Sequence, residues 1–352
     1  MGDQQPTTTY TRDGLSVFFE SKRCGLNADL GKHLADFIAG TQHNLDVAIY
    51  DLREPTVLEA LKSAADRGIA LRLLYDAGPA QHGGPTADPK PGTTGEAIDQ
   101  AGLADYATAY PEHGGRLMHN KFLIRDNATV WTGSANFTTG GLTLQDNNCL
   151  TISSSDLSAA YSTEFEALLA AAPAALPATA ATSITVGGVQ IEPQFAPQAG
   201  EHIEERVIAA MNGAGRLRMA AFLVSDPGIL QALSDLNEAG ADLAGVYDPG
   251  GMADARRSSH LDPALFWFMD DPRFVAAPSH PYTPGREQDF MHNKVLVIDG
   301  QTVVTGSYNF SEHAETNAEN VLVLTDPDLA SAYEAYLNAL LTTYRRMRPA
   351  PA

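Results

Sequence analysis

Two stretches decide how the chain reads. The first is Met118-His119-Asn120-Lys121-Phe122-Leu123-Ile124-Arg125-Asp126, followed by Thr132-Gly133-Ser134-Ala135-Asn136-Phe137. The second is Met291-His292-Asn293-Lys294-Val295-Leu296-Val297-Ile298-Asp299, followed by Thr305-Gly306-Ser307-Tyr308-Asn309-Phe310. Each copy sets a His, a Lys two residues on, an Asp five after that, then Gly-Ser and Asn at matching offsets. The copies lie 173 positions apart, from His119 to His292. Two matching constellations half a chain apart mark a duplicated unit with a paired function.

A chain of 352 residues with 44% hydrophobic content can bury a sizeable core, and the repeat favours two halves over one. The net charge of −20 repels polyanions and anionic surfaces at long range, so an anionic substrate has to be drawn in by a local cationic pocket. Lys121 and Lys294, two of only six lysines, recur at equivalent places. Cys24 and Cys149 are too few for a disulfide framework or a zinc cluster and read as two small hydrophobes. No run approaches a membrane span, and the polar start lacks the parts of a signal peptide, so a soluble protein without a stable membrane anchor is expected. Cytoplasmic location and secretion with the signal already removed both fit.

Outward from the motifs, apolar periodicity and Gly/Pro punctuation predict a polar tail over 1–13, a first half over 14–171, a linker over 172–187 and a second half over 188–352. Leu15–Phe19 reads as a strand, Leu26–Ile38 as a helix, Leu45–Tyr50 as a buried strand, Pro55–Arg67 as a helix and Ile69–Tyr75 as a strand. Thr163–Ala171 reads as a closing helix. The second half repeats the order with a helix over Glu201–Met211, a strand over Leu217–Val224, a helix over Pro227–Glu238 and a strand over Leu243–Tyr247. Tyr333–Met347 closes the chain as a helix. Strands alternating with helices predict an α/β fold of two pseudo-symmetric halves, each a mixed β-sheet flanked by helices. The Gly78–Gly95 loop and the aromatic stretch Pro263–Pro284 are expected to flank the cleft, although an apolar run such as Leu265–Met269 more often packs on its own core.

On a strand, His119 and Lys121 share a face, and Ser134 and Asn136 add a hydroxyl and an amide at the same spacing. Two copies facing one another would surround one anion with two His, two Lys, two Ser and two Asn, an arrangement suited to phosphate chemistry. One His would attack phosphorus while the other protonates the leaving oxygen and then activates water or an alcohol. The two lysines would supply the charge for which other enzymes use a metal, so no metal and no cofactor are expected. Among the remaining histidines, His280 and His313 are candidates for substrate contact; His33, His43, His82, His113, His202 and His260 read as solvated or capping.

These residues resemble the phospholipase D superfamily, whose HxKxxxxD signature is matched by His119, Lys121 and Asp126 and again by His292, Lys294 and Asp299. The resemblance implies one active site at the interface of the halves, a covalent phosphohistidine and a monomer. It implies that Lys121, Lys294, Asn136 and Asn309 hold phosphoryl oxygens, with Ser134 and Ser307 beside them. Asp126 and Asp299, though within the signature, would hold the motif loops more than react. The family also carries a Glu after the Gly-Ser-x-Asn segment that orients a catalytic His. Glu319 takes that place in the second half, whereas either Asp146 or Asn147 takes it in the first. If Asn147 does, His119 is expected to lack a carboxylate partner. By analogy His119 is the nucleophile and His292 the acid/base.

Three substrate classes follow. A phospholipid is favoured, because the acidic chain and the Leu265–Met269 patch suit a zwitterionic headgroup. A nucleic acid or small phosphodiester comes second, with the missing basic stripe against the former. A phosphate-binding module without turnover is the third.

Overall fold

The computed structural model describes residues 6–78, 93–110, 116–170, 183–197, 203–258, 260–283 and 286–347. The first half contains strands β1 (Thr9–Arg12), β2 (Leu15–Glu20), β3 (Asn44–Ile49), β4 (Ala70–Asp76), β5 (Ala107–Tyr110), β6 (Lys121–Arg125), β7 (Thr129–Gly133) and β8 (Asn147–Ser153). Its helices are α1 (Leu30–Ala39), α2 (Pro55–Asp66), α3 (Thr94–Gln100), α4 (Thr139–Thr143) and α5 (Ser155–Leu169). The second half contains β9 (Ile184–Val186), β10 (Val189–Ala196), β11 (Arg216–Ala221), β12 (Asp242–Tyr247), β13 (Phe274–Ala276), β14 (Lys294–Ile298), β15 (Thr302–Gly306) and β16 (Glu319–Thr325). Helices α6 (Ile203–Met211), α7 (Pro227–Glu238), α8 (Pro249–Arg256) and α9 (Pro327–Met347) accompany it.

Each half forms one eight-stranded mixed sheet, in the orders β1-β2-β8-β7-β6-β3-β4-β5 and β9-β10-β16-β15-β14-β11-β12-β13. The two orders correspond strand for strand. β3, β4 and β5 run parallel, as do β11, β12 and β13, while the motif strands β6 and β14 pair antiparallel with β3 and β11. The strands are apolar on both faces because both faces are covered. Phe122 and Ile124 of β6 join Val295 and Val297 of β14 in a central core, whereas Leu123 and Leu296 point into the outer core of their own half. Helices α5 and α9 fill the central layer, with Leu157, Tyr161 and Phe165 meeting the same core as Tyr333, Tyr336 and Leu340. The outer faces are closed by α1 and α2 in one half and by α6 and α7 in the other.

Several elements depart from the expected boundaries. Thr9–Arg12, within the expected polar tail, is an edge strand pairing with β2, and Ile184–Val186, within the expected linker, is an edge strand pairing with β10. The closing helix of the first half begins at Ser155, whose preceding residue Ser154 caps it by accepting from Leu157 N–H. The aromatic run lies on a 3₁₀ turn, Pro263–Asp270, with Phe266 and Phe268 buried in the second half's own core. Only the following segment, at Tyr282–Thr283, reaches the cleft. Residue 171 of the expected closing helix, residues 172–182 of the linker, 79–92 of the Gly/Pro loop, and His82, His113 and His202 lie outside the described residues. Among the described residues no helix is long and apolar enough to cross a membrane.

Candidate active site

The halves are stitched where the two motifs begin. Met118 bridges Ala318, and Met291 bridges Asp146, each in parallel. His119 N–H donates to Ala318 O at 2.9 Å and His292 N–H to Asp146 O at 3.0 Å, so each motif histidine is anchored to the opposite half. Beneath them runs a buried, twofold-related polar network. Asn148 Nδ2 donates to Asn293 Oδ1 (2.9 Å) and Asn320 Nδ2 to Asn120 Oδ1 (2.8 Å). Asn148 Oδ1 accepts from Thr305 and Tyr333, and Asn320 Oδ1 from Thr132 and Tyr161. This buried amide network specifies one docking of the halves, since any slip strands several of its hydrogen bonds at about 1–3 kcal/mol each.

Both histidines line a single cleft of about 840 Å³ with Asn136, Asn309, Tyr50 and Phe222. Tyr50 meets the His119 ring edge-on at 5.0 Å, and Phe222 meets His292 at 5.1 Å. The same two rings lie under the lysines, with Lys121 Nζ 5.2 Å from the Tyr50 centroid and Lys294 Nζ 5.2 Å from that of Phe222. Sequence reading missed this pair; the signal was there, because Tyr50 and Phe222 each follow the strand that pairs with a motif strand. Lys121 and Lys294 are each 1% exposed and each donates to its own motif's histidine carbonyl, at 2.6 and 2.7 Å. Asn136 and Asn309 are half-buried, and the Oδ1 atom of each has no partner among the described residues, so these amides remain uncommitted.

The orienting partners cross between halves. Glu319 lies 2.8 and 2.9 Å from His119 Nδ1 through its two oxygens, and Asn147 Oδ1 lies 3.2 Å from His292 Nδ1. Asn147 opens β8 as Glu319 opens β16, so Asn147 is the counterpart of the glutamate. The expectation that His119 would lack a carboxylate is therefore reversed: His292 carries the amide. Asp146 instead packs with Arg23 and Tyr344, away from the imidazoles.

The remaining sequence candidates do not line the cleft. Ser134 and Ser307 are fully buried and donate to Asn147 Oδ1 (2.7 Å) and Glu319 Oε2 (2.6 Å), holding the orienting groups behind the histidines where they do not line the cleft. The glycine before each serine has a steric cause. Their φ values are 152° and 155°, and a Cβ on Gly133 or Gly306 would sit 2.3 or 2.2 Å from the carbonyl oxygen of Asn148 or Asn320. Asp126 and Asp299 lie at the far end of the motif strands, five residues and so about 16 Å from the lysines. Asp126 accepts from the backbone N–H groups of Gln42, His43 and Asn44, and Asp299 from those of Gly215 and Arg216. Their role in holding turns removes them from the reacting set. His280 faces Asp289 beside the cleft, and His313 sits on an exposed turn; neither lines it.

Burial and charge set the protonation of the site. Burial, then Lys121 and Lys294, push His119 well below its ordinary value; burial and the same two lysines do this to His292. Burial pulls Lys121 down to about 7 and Lys294 well down, Lys121 adding to the latter effect. Burial pushes Glu319 up to about 8, against the opposing pull of Lys121 and the Ser307 donor. A site so starved of counter-charge gains most by admitting an anion.

The family model for the cardiolipin synthase, phospholipase D-like domain matches residues 34–169 and again 207–341, one match per half. The chain belongs to the phospholipase D superfamily. A phospholipase D of Rickettsia bellii is 54% identical over 43 residues, which are 12% of this chain and 21% of that protein. A mitochondrial cardiolipin hydrolase of Xenopus laevis is 27% identical over 147 residues, 40% of this chain and 61% of that protein. The matches thus span from about a fifth to three fifths of these relatives' lengths. Phosphatidylserine synthase of Haemophilus influenzae superposes over 98% of this chain and 89% of its own, with a TM-score of 0.65 at 13% identity, which establishes the shared two-half fold. Membership agrees with the doubled signature and the matching sheets.

Proposed function

We propose that this chain hydrolyses or transfers a phosphodiester of a phospholipid, without a metal, through a phosphohistidine on His119. The observation that carries the assignment is the unequal pairing of the histidines. When His119 Nε2 attacks phosphorus, an N–P bond forms and positive charge grows on the imidazole, where the Glu319 carboxylate meets it through Nδ1. As the P–O bond to the leaving alcohol breaks, its oxygen takes the proton from His292 Nε2. The bound phosphate sets negative charge against Lys121 and Lys294, which otherwise keep His292 neutral, so His292 can take up a proton; Asn147, a neutral amide, orients it without holding the cation, and protonated His292 is then a ready donor. Neutral His292 then takes a proton from water or an alcohol, which attacks phosphorus as the N–P bond breaks. Lys121, Lys294, Asn136 and Asn309 stabilise the phosphoryl oxygens.

The phospholipid preference is supported by the family match and by the net charge of −20, which disfavours a nucleic-acid polymer. The test is to incubate protein, in EDTA, with phosphatidylcholine micelles with and without ethanol, with bis(p-nitrophenyl) phosphate and with single-stranded DNA. Lipid cleavage with transfer to ethanol, lost in His119→Ala and His292→Ala, is expected. A phosphoenzyme trapped by quenching in alkaline denaturant, where the N–P bond survives, in His292→Ala and missing in His119→Ala identifies the nucleophile; the reverse result refutes the assignment. DNA cleavage alone overturns the lipid reading, and binding without turnover overturns the enzymatic one.

A further inference from the structure

Next to the catalytic cleft lies a second cavity of about 460 Å³, lined by Lys22, Arg23, His280, Arg286 and Asp289 among others. Arg286, Glu287 and Gln288 line both spaces, so the two share a wall. In so acidic a chain, the charge balance here is unusual. Asp289 is occupied by Arg23 (2.6 Å) and by His280, through its ring (2.7 Å) and its backbone N–H (3.0 Å). Glu287 is taken by Gly140 N–H (2.7 Å), with Arg53 3.9 Å away. Arg23 also faces the buried Asp146. The acids are spent within the wall, whereas Lys22 and Arg286 are exposed and have no ion-pair partner among the described residues.

The cavity's place in the chain gives it a direction. Asp289 and Phe290 lead directly into His292, and Lys22 follows Glu20, which pairs in register with Asn147, the partner of His292. The cations therefore stand on the side of the histidine that protonates the leaving alcohol, and that alcohol is the lipid headgroup. We infer that Lys22 and Arg286 form a second anion subsite, which receives a phosphate carried by the headgroup of the substrate phospholipid. The inference rests on the phospholipid reading above.

Phosphatidylglycerol and phosphatidylglycerol phosphate differ by one headgroup phosphate and provide the test, in mixed detergent micelles of equal surface charge. The subsite predicts a lower KM for phosphatidylglycerol phosphate. In Lys22→Ala, which alters an exposed side chain of the second cavity only, that advantage falls about three- to fivefold, as expected for an exposed charge pair. Its rates on phosphatidylglycerol and on bis(p-nitrophenyl) phosphate stay unchanged. Raising the salt weakens the advantage more in the wild-type protein than in the variant, which keeps only Arg286. Equal KM for the two lipids, or an advantage that Lys22→Ala retains, overturns the subsite and leaves the lipid reading intact. Cleavage of the chromogenic ester with neither lipid turned over overturns both. A Lys22-dependent KM for single-stranded DNA, with no discrimination between the lipids, reassigns the cavity to a nucleic-acid phosphate and refutes the inference.

Discussion

Binding of a tetrahedral dianion should draw protons into the site. Lys121 is held at about 7 by burial, so at pH 8 only about a tenth of it is charged. An anion beside it restores the ammonium and raises its pKa. Binding at pH 8 therefore takes up about 0.9 proton at Lys121 alone, and at pH 6 only about 0.1. Lys294 and the two histidines, also pushed down, can add to this. The sign follows from linkage. A group whose pKa rises on binding gives an affinity that is full below its empty-site value and lost as pH climbs above it. Each pH unit between about 7 and 9 then weakens binding about tenfold, or about 1.4 kcal/mol. Sulfate is the suitable probe because it does not titrate in this range. Calorimetry at pH 8 in buffers of different ionisation enthalpy reads proton uptake directly, and Lys121→Arg, which stays charged, should lower it by nearly one proton. Zero uptake at pH 8, or equal uptake in Lys121→Arg, refutes the reasoning.

Glu319→Gln places an amide against His119, as Asn147 already stands against His292, so the fold should persist. Replacing a charge-assisted bond by a neutral one costs about 1–2 kcal/mol; kcat should fall about tenfold or more, and rapid-quench kinetics in alkaline denaturant should place the loss in phosphoenzyme formation. Gly306→Ala drives a Cβ against Asn320 O, and the urea midpoint should report a loss of at least about 3 kcal/mol. Asp126→Asn keeps a residue that tolerates the positive φ of 52° but weakens its bonds to the Gln42–Asn44 amides. A stability loss of about 1 kcal/mol with kcat unchanged is expected; a loss of kcat in fully folded protein would return Asp126 to the reacting set.

The duplication and the strand and helix order were legible in the chain, as was the shared strand face of His119 with Lys121 and of His292 with Lys294. Each depends on local information: residue type, spacing, and a periodicity of two or 3.6. The sheets repeat strand for strand because the same pattern occurs twice, and the glycines at 133 and 306 mark backbone crossings that only Gly permits.

Which residue faces which histidine was decided only in three dimensions. Spacing within one half left Asp146 and Asn147 both open as the partner of His119, but the parallel bridges Met118–Ala318 and Asp146–Met291 exchange partners between the halves. Glu319 thereby reaches His119, and Asn147 reaches His292. The serines likewise look like phosphate ligands by residue type, and become supports once β8 and β16 run over them. A sequence records what lies along the chain; a pseudo-twofold interface brings together residues about 200 positions apart, such as His119 and Glu319. Their pairing follows from the buried asparagine network that docks the halves, and no local pattern encodes it.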